Sequence, residues 1–232
     1  MRKIVVILSV ACLLIMANTN VRAQFFAKAG IGYGLGVQKL VLDEAYTAAL
    51  TENIYGSFGG NIGFYLGGGV ELGKYIDLEA DLGYQNGRSV IVANSLYSKT
   101  FTGRLIYFSP SLSFRTAIDE NISPYAKVGL ITGMPLTKVN VYGEDKKFKG
   151  GIPLGVNEAL GLHFNATDNL KFFVELYHQS MIYKPTKRKE ANGDIVKFTD
   201  QLPYPAPSDQ ELHHHFFSFG AVNLNIGIKF VL

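Results

Sequence analysis

The chain has 232 residues, 22 Lys and Arg against 19 Asp and Glu, and one Cys. Arg2, Lys3, Arg22 and Cys12 all lie in the first 23 residues, so the rest carries 19 bases against 19 acids and no thiol. That balance excludes a polybasic nucleic-acid surface, and the missing thiols exclude disulfide bracing.

The first element is a leader, residues 1–23. Arg2 and Lys3 precede an apolar run from Ile4 to Ala17 interrupted only by Ser9, and Val21-Arg22-Ala23 supplies small residues for cleavage. The run is too short for a transmembrane helix, which needs about 20 residues, and reads as a secretory signal. The domain expected to fold is residues 24–232. Its 25 Gly are spread through apolar segments, which argues for strands, because Gly costs about 1 kcal/mol inside a helix.

Period-two alternation then predicts eight strands: Gln24–Lys39, Phe58–Val70, Ile76–Gln85, Arg104–Thr116, Tyr125–Met134, Leu154–Phe164, Leu170–Tyr183 and His214–Phe230. The gaps after the second, fourth and sixth are short. Those after the first, third, fifth and seventh hold about 18, 18, 19 and 30 residues. Strict alternation of short turns and long loops predicts an all-β fold, an eight-stranded antiparallel up-and-down transmembrane barrel with both termini on the short-turn side.

The faces are inside-out relative to a soluble barrel. On the fourth strand Ile106, Phe108, Pro110, Leu112 and Phe114 alternate with Tyr107, Ser109, Ser111, Ser113 and Arg115. On the eighth, Val222, Leu224, Ile226, Ile228 and Phe230 alternate with Ala221, Asn223, Asn225, Gly227 and Lys229. The apolar set, with Phe58, Ile62, Phe64 and Leu66 of the second strand, is expected to face lipid and the polar set the lumen. Among the loops, Asp43 to Leu50 suggests a helical turn. Asn192-Gly193 suggests a type I′ hairpin that carries the seventh strand above the membrane. Pro203, Pro205 and Pro207 then force an irregular stretch.

The architecture and the last strand, Asn223-Leu-Asn-Ile-Gly-Ile-Lys-Phe230, resemble the small OmpA/OmpX-type outer-membrane barrels, here without a periplasmic domain. The resemblance implies a bacterial outer-membrane location and insertion by the barrel-assembly machinery, which reads a terminal aromatic strand.

Four constellations could carry chemistry. By parity Lys28, Arg115, Lys127 and Lys229 point into the lumen with Asp77, Glu79 and Asp81, as do Lys171 and Glu175. Eight strands leave an interior that side chains fill, so these charges are expected to pair and plug it, with Tyr65, Tyr107, Tyr125 and Tyr177 filling in. His178 and Ser180 lie on the lipid side of the seventh strand. This His-x-Ser resembles the lipid A deacylase barrels, which implies Ser180 as nucleophile, His178 as base and Glu190 as orienting acid; Met181 follows where those enzymes carry Asn. His213, His214 and His215 cannot all bind one metal from an extended segment, because neighbours point to opposite faces; only His213 and His215 could share a site, and no third ligand is evident. Lys146, Lys147 and Lys149, with Lys184, Lys187, Arg188 and Lys189, are loop cations that could meet lipopolysaccharide phosphates.

The expected role is non-enzymatic, in envelope structure or surface interaction through the long loops. The alternatives are a membrane-embedded esterase using His178 and Ser180, and a small diffusion porin. No cofactor, metal or nucleic acid is expected. Outer-membrane lipid, lipopolysaccharide and an extracellular ligand are the expected partners.

Overall fold

The computed structural model describes residues 23–46, 51–93, 98–116, 121–200, 208–212 and 215–232. Residues 1–22 lie outside them, as do Pro203, Pro205, Pro207, His213 and His214. Eight long strands close into one antiparallel barrel: β1 Ala23–Gly36, β2 Asn61–Leu72, β3 Ile76–Asn86, β4 Ser98–Arg115, β5 Ile122–Val141, β6 Leu154–Asn165, β7 Leu170–Tyr183 and β8 Ala221–Val231. Each pairs with the next, and β8 pairs with β1 through the register Phe26↔Val231 to Gly36↔Ala221.

Closure fixes the stagger. From Ile122 on β5 the cross-strand partners run Phe164, Phe172, Ile228, Ala29, Leu66, Leu82, Phe108 and back to β5 at Thr132, ten residues higher. Such a shear tilts the strands about 40° and leaves no free edge, as hydrocarbon requires.

The outward positions form an apolar belt. Ile62, Phe64, Leu66, Leu112, Phe114, Leu224, Ile226 and Ile228 are each more than 40% exposed, while Ser109, Ser111, Ser113, Asn223, Asn225 and Lys229 between them are buried. Connections 73–75, 116–121 and 166–169 are short; those at 37–60, 87–97, 142–153 and 184–220 are long.

Three local expectations are corrected. The first long loop carries a hairpin, Leu40–Tyr46 with Thr51–Gly56, so Asp43 to Tyr46 is strand and not helical turn, while residues 47–50 of that expectation lie outside the described residues; the β-branched and aromatic residues around Asp43 favour strand. The type I′ turn sits at Tyr142-Gly143, where both residues have positive φ (52° and 90°), stabilised by Gly143 N–H donating to Asn140 Oδ1 at 3.1 Å. At Asn192-Gly193 only Gly193 has positive φ. There Gly193 N–H donates to Glu190 O at 3.1 Å and Glu190 N–H to Asp194 O at 2.9 Å, a type I turn with a bulge. β7 stops at Tyr183, and Lys187–Lys189 is a separate strand between Glu144–Lys149 and Ile195–Thr199. Phe58, expected outward, is instead fully buried. Gly59, Gly60 and Asn61 (φ 91°) break the strand above β2 and fold it into the barrel mouth.

Inside, glycines make room for rings. Gly30, Gly83 and Gly161 stand directly opposite Tyr65, Tyr107 and Tyr125, and a Cβ at any of the three would collide with the facing ring. Pairing a ring over a glycine fills the lumen without overpacking. Gly83→Val should therefore destabilise the barrel by about 1–3 kcal/mol, read as a lower urea midpoint in micelles. An unchanged midpoint would show that Tyr107 swings aside freely.

Candidate functional site: the charged lumen and the outer wall

Parity on β1, β2, β3, β4, β5, β7 and β8 aims charged side chains at one narrow axis, where side chains must satisfy one another. The layer at the short-turn end gathers Lys229 to Asp77 at 2.8 Å and Glu71 at 3.0 Å, and Arg115 to Glu71 at 2.6 Å and Asp77 at 3.3 Å. Lys171 reaches Glu71 at 3.4 Å. Arg115 also donates to the carbonyls of Gly73 and Lys74 in the β2–β3 turn, and Lys229 Nζ lies 3.8 Å over the Phe26 ring. One layer up, Lys28 pairs with Glu79 at 2.8 Å and Asp81 at 2.9 Å. Lys127 reaches Glu175 at 2.9 Å, Glu79 at 3.6 Å and Asp81 at 3.9 Å. Glu175 accepts further bonds from Tyr125 at 2.9 Å, Asn225 at 2.9 Å and Tyr65 at 3.3 Å.

The network balances five bases (Lys28, Arg115, Lys127, Lys171, Lys229) against five acids (Glu71, Asp77, Glu79, Asp81, Glu175). Glu71 falls in the gap between the expected strands Phe58–Val70 and Ile76–Gln85; β2 continues two residues past Val70, and the inward parity of Tyr65, Gly67 and Gly69 carries Glu71 into the lumen. Glu175 is the central acceptor.

Above the charges the lumen narrows to a cavity of about 20 Å³ among Tyr65, Tyr107, Tyr177, Gln85 and Gln179, the space of about one water. Gln179 donates to Gln85 at 2.8 Å and to Phe219 O at 2.6 Å, and Gln85 donates to Gly59 O. An apolar stopper then fills the mouth: Phe58, Phe217, Phe219, Leu105, Ile131 and Met181, all buried. Backbone bonds hold it, Phe58 N–H to Ser218 O at 2.8 Å and Phe219 N–H to Met181 O at 2.9 Å.

The esterase constellation is not assembled as expected. His178 Nδ1 lies 3.1 Å from Glu158, its cross-strand neighbour on β6, and Ser180 Oγ donates to Gln38 at 2.8 Å. Serine and histidine do not bond to each other. Glu190 sits by the long-loop sheet with Lys146 at 2.9 Å and Arg188. There burial pushes its carboxyl up, but the bonds from Lys146 and Arg188 outweigh burial and hold it below its ordinary value. Glu158 went unremarked in the sequence because it interrupts an otherwise apolar face between Val156 and Leu160. His215 packs on Phe148 and Phe217 and lies 3.9 Å from Glu211. Among the described residues no group of three His, Cys, Asp or Glu could hold a metal.

The family profile described as outer membrane protein beta-barrel domain matches residues 8–222. The outer membrane protein OprG from Pseudomonas aeruginosa shares the fold at 12% identity, over 91% of this chain and 97% of its own, with a TM-score of 0.51. Neisserial surface protein A is also similar, at 11% identity over 90% and 97% of the two chains, with a TM-score of 0.48. Comparison with curated proteins gives no match.

The Lys127–Glu175 pair lends itself to a double-mutant cycle. Glu175→Ala strands Lys127 beside two weaker partners and should cost about 3–5 kcal/mol, whereas Lys127→Met with Glu175→Leu should recover most of it. Urea unfolding in micelles reads both, and additive losses would show that the pair is not coupled.

Proposed function

Because the chain belongs to the outer membrane protein β-barrel domain family, we propose that it is a non-enzymatic surface anchor. It is exported by the leader at residues 1–23, and its closed barrel carries an extracellular β extension into contact with the surroundings or strengthens the envelope. The observation that carries this reading is the double closure of the lumen, by ion pairs such as Lys28–Glu79 and Lys229–Asp77 below and by the Phe58 stopper above. Two independent barriers in series argue against a diffusion porin. They also mean that opening the lower one alone does nothing: Arg115→Ala leaves the stopper in place.

The Glu158–His178 pair on the lipid-facing wall favours the esterase as the second reading, since it supplies a base already oriented by an acid. Ser180 would have to leave Gln38 to meet it.

Planar-bilayer recording tests the anchor. The unmodified protein and Arg115→Ala should both show conductance near zero, and only a variant that also carries Phe58→Ala should conduct. A large steady current from the unmodified protein would revive the porin. Mass spectrometry of lipid A from cells with and without the chain tests the esterase; the anchor reading expects the same acylation pattern in both, and loss of an acyl chain only when the chain is present would overturn it.

A further inference from the structure

Among the described residues the barrel wall has a place where the ladder lapses. β5 pairs with β6 up to Thr132↔Leu154, and with the returning strand Glu144–Lys149 only from Thr137↔Phe148 upward. Residues 133–136 between them face the crossing segment 150–153, which Gly150 and Gly151 (φ 72° and 77°) swing out of the sheet. A groove of about 900 Å³ opens there, floored by Met134, Leu136 and Ile152, which are 60%, 49% and 85% exposed.

The groove stands high on the wall. Tilted strands add roughly 2.5 Å of height per residue and 3 Å per strand. On the register above, that puts Leu136 about 9 Å over Ile62, near the upper limit of the belt on the opposite wall. Apolar surface at headgroup level is costly unless something covers it.

Directly above the groove lies an array of like charges. Lys138 faces outward on β5, and register carries the same face through Lys147, Lys149, Lys187, Lys189 and Lys197. Lys149 stands opposite Lys187, Lys187 opposite Lys197, and Lys147 opposite Lys189, an arrangement that destabilises a ladder. Lys138 has Asp145 at 2.9 Å, a carboxylate that Lys147 also attracts; among the described residues Lys149, Lys187, Lys189 and Lys197 have no acid within ion-pair distance. The inner face of the same strands is neutralised, Lys146 by Glu190 at 2.9 Å and Arg188 by Glu190 and by Glu211 at 2.9 Å. Ion pairs thus cover the inner cations, whereas on the outer face Asp145 answers Lys138 and the remaining lysines stand opposite one another.

We propose that this outer face binds a phosphorylated acyl glycolipid of the outer leaflet, lipid A in chemical class, with its phosphates on Lys147, Lys149 and Lys187 and the proximal part of an acyl chain in the groove. The assignment rests on the anchor reading and names a partner for its extension. One molecule must answer both observations. A soluble polyanion satisfies the lysines but leaves the groove wet, and a neutral lipid covers the groove but leaves the lysines repelling one another. Lysine suits the site as a point charge for phosphate.

Native mass spectrometry of the folded protein in zwitterionic micelles, titrated with bisphosphorylated hexa-acyl lipid A, tests this. Lys147→Ala/Lys149→Ala/Lys187→Ala should weaken binding at least tenfold, and Leu136→Gln severalfold. Lys74→Ala, in the β2–β3 turn, should change nothing. Lipid A stripped of phosphate should bind the unmodified protein as poorly as intact lipid A binds the triple variant, and excess inorganic pyrophosphate should fail to displace the intact lipid. Undiminished binding by the triple variant overturns the proposal. So does displacement by pyrophosphate, or tighter binding of a sulfated polysaccharide than of lipid A. A heat-dependent gel shift checks folding, and if the triple variant does not fold, Leu136→Gln and the phosphate-free lipid decide. Bilayer currents from the same preparation read the plug separately, so lost lipid binding with silent currents rejects this site and spares the anchor.

Discussion

Hydrocarbon offers no partner to a backbone N–H or C=O, and that lack governs most of this molecule. It forces the sheet to close on itself, and closure with eight strands and a ten-residue stagger leaves an interior too narrow for a water-filled channel. Inward side chains must therefore satisfy one another. Five bases and five acids do so in two layers, with tyrosine and asparagine taking up the remaining acceptor capacity of Glu175. The glycines opposite Tyr65, Tyr107 and Tyr125 follow from the same narrowness, since only a missing side chain leaves space for a facing ring.

Strand alternation carries much of this on its face. The two-residue period assigns Ile226 outward and Asn225 inward wherever the strand ends are drawn, so the fold and the inward set of charges are legible in the sequence. Details at strand ends are less so. Glu71 pairs with Arg115 and Lys229, yet it sits one residue past a plausible strand end. Phe58 reads as one more outward apolar residue until the backbone break at Gly59, Gly60 and Asn61 turns it inward. Type I′ geometry went to Tyr142-Gly143 and not to Asn192-Gly193, because flanking side chains such as Asn140 weigh as much as the turn dipeptide.

Which acid meets which base is a question that period cannot answer. Partners in the lumen lie across the barrel, as with Lys127 and Glu175 on strands that are not neighbours, and only the stagger decides which heights coincide. The outer wall poses the same difficulty. Glu158 meets His178 through register, and the lysine face exists only because three short strands fold back onto the top of β5.

The distribution of charge between strands bears on how the barrel enters the membrane. Glu71, Asp77, Glu79 and Asp81 all belong to the β2–β3 hairpin, while the cations that neutralise them come from β1, β4, β5, β7 and β8. Lys229 and Asp77 are 152 residues apart in the chain. A half-built sheet in lipid would expose a stripe of four carboxylates with most of its counter-ions still unplaced. Strand-by-strand insertion is accordingly uphill, and the chain must curl and bring its two ends together before its middle commits to the bilayer. The lumen network thus ties the first strand to the last: its charges are matched only once β8 has paired with β1.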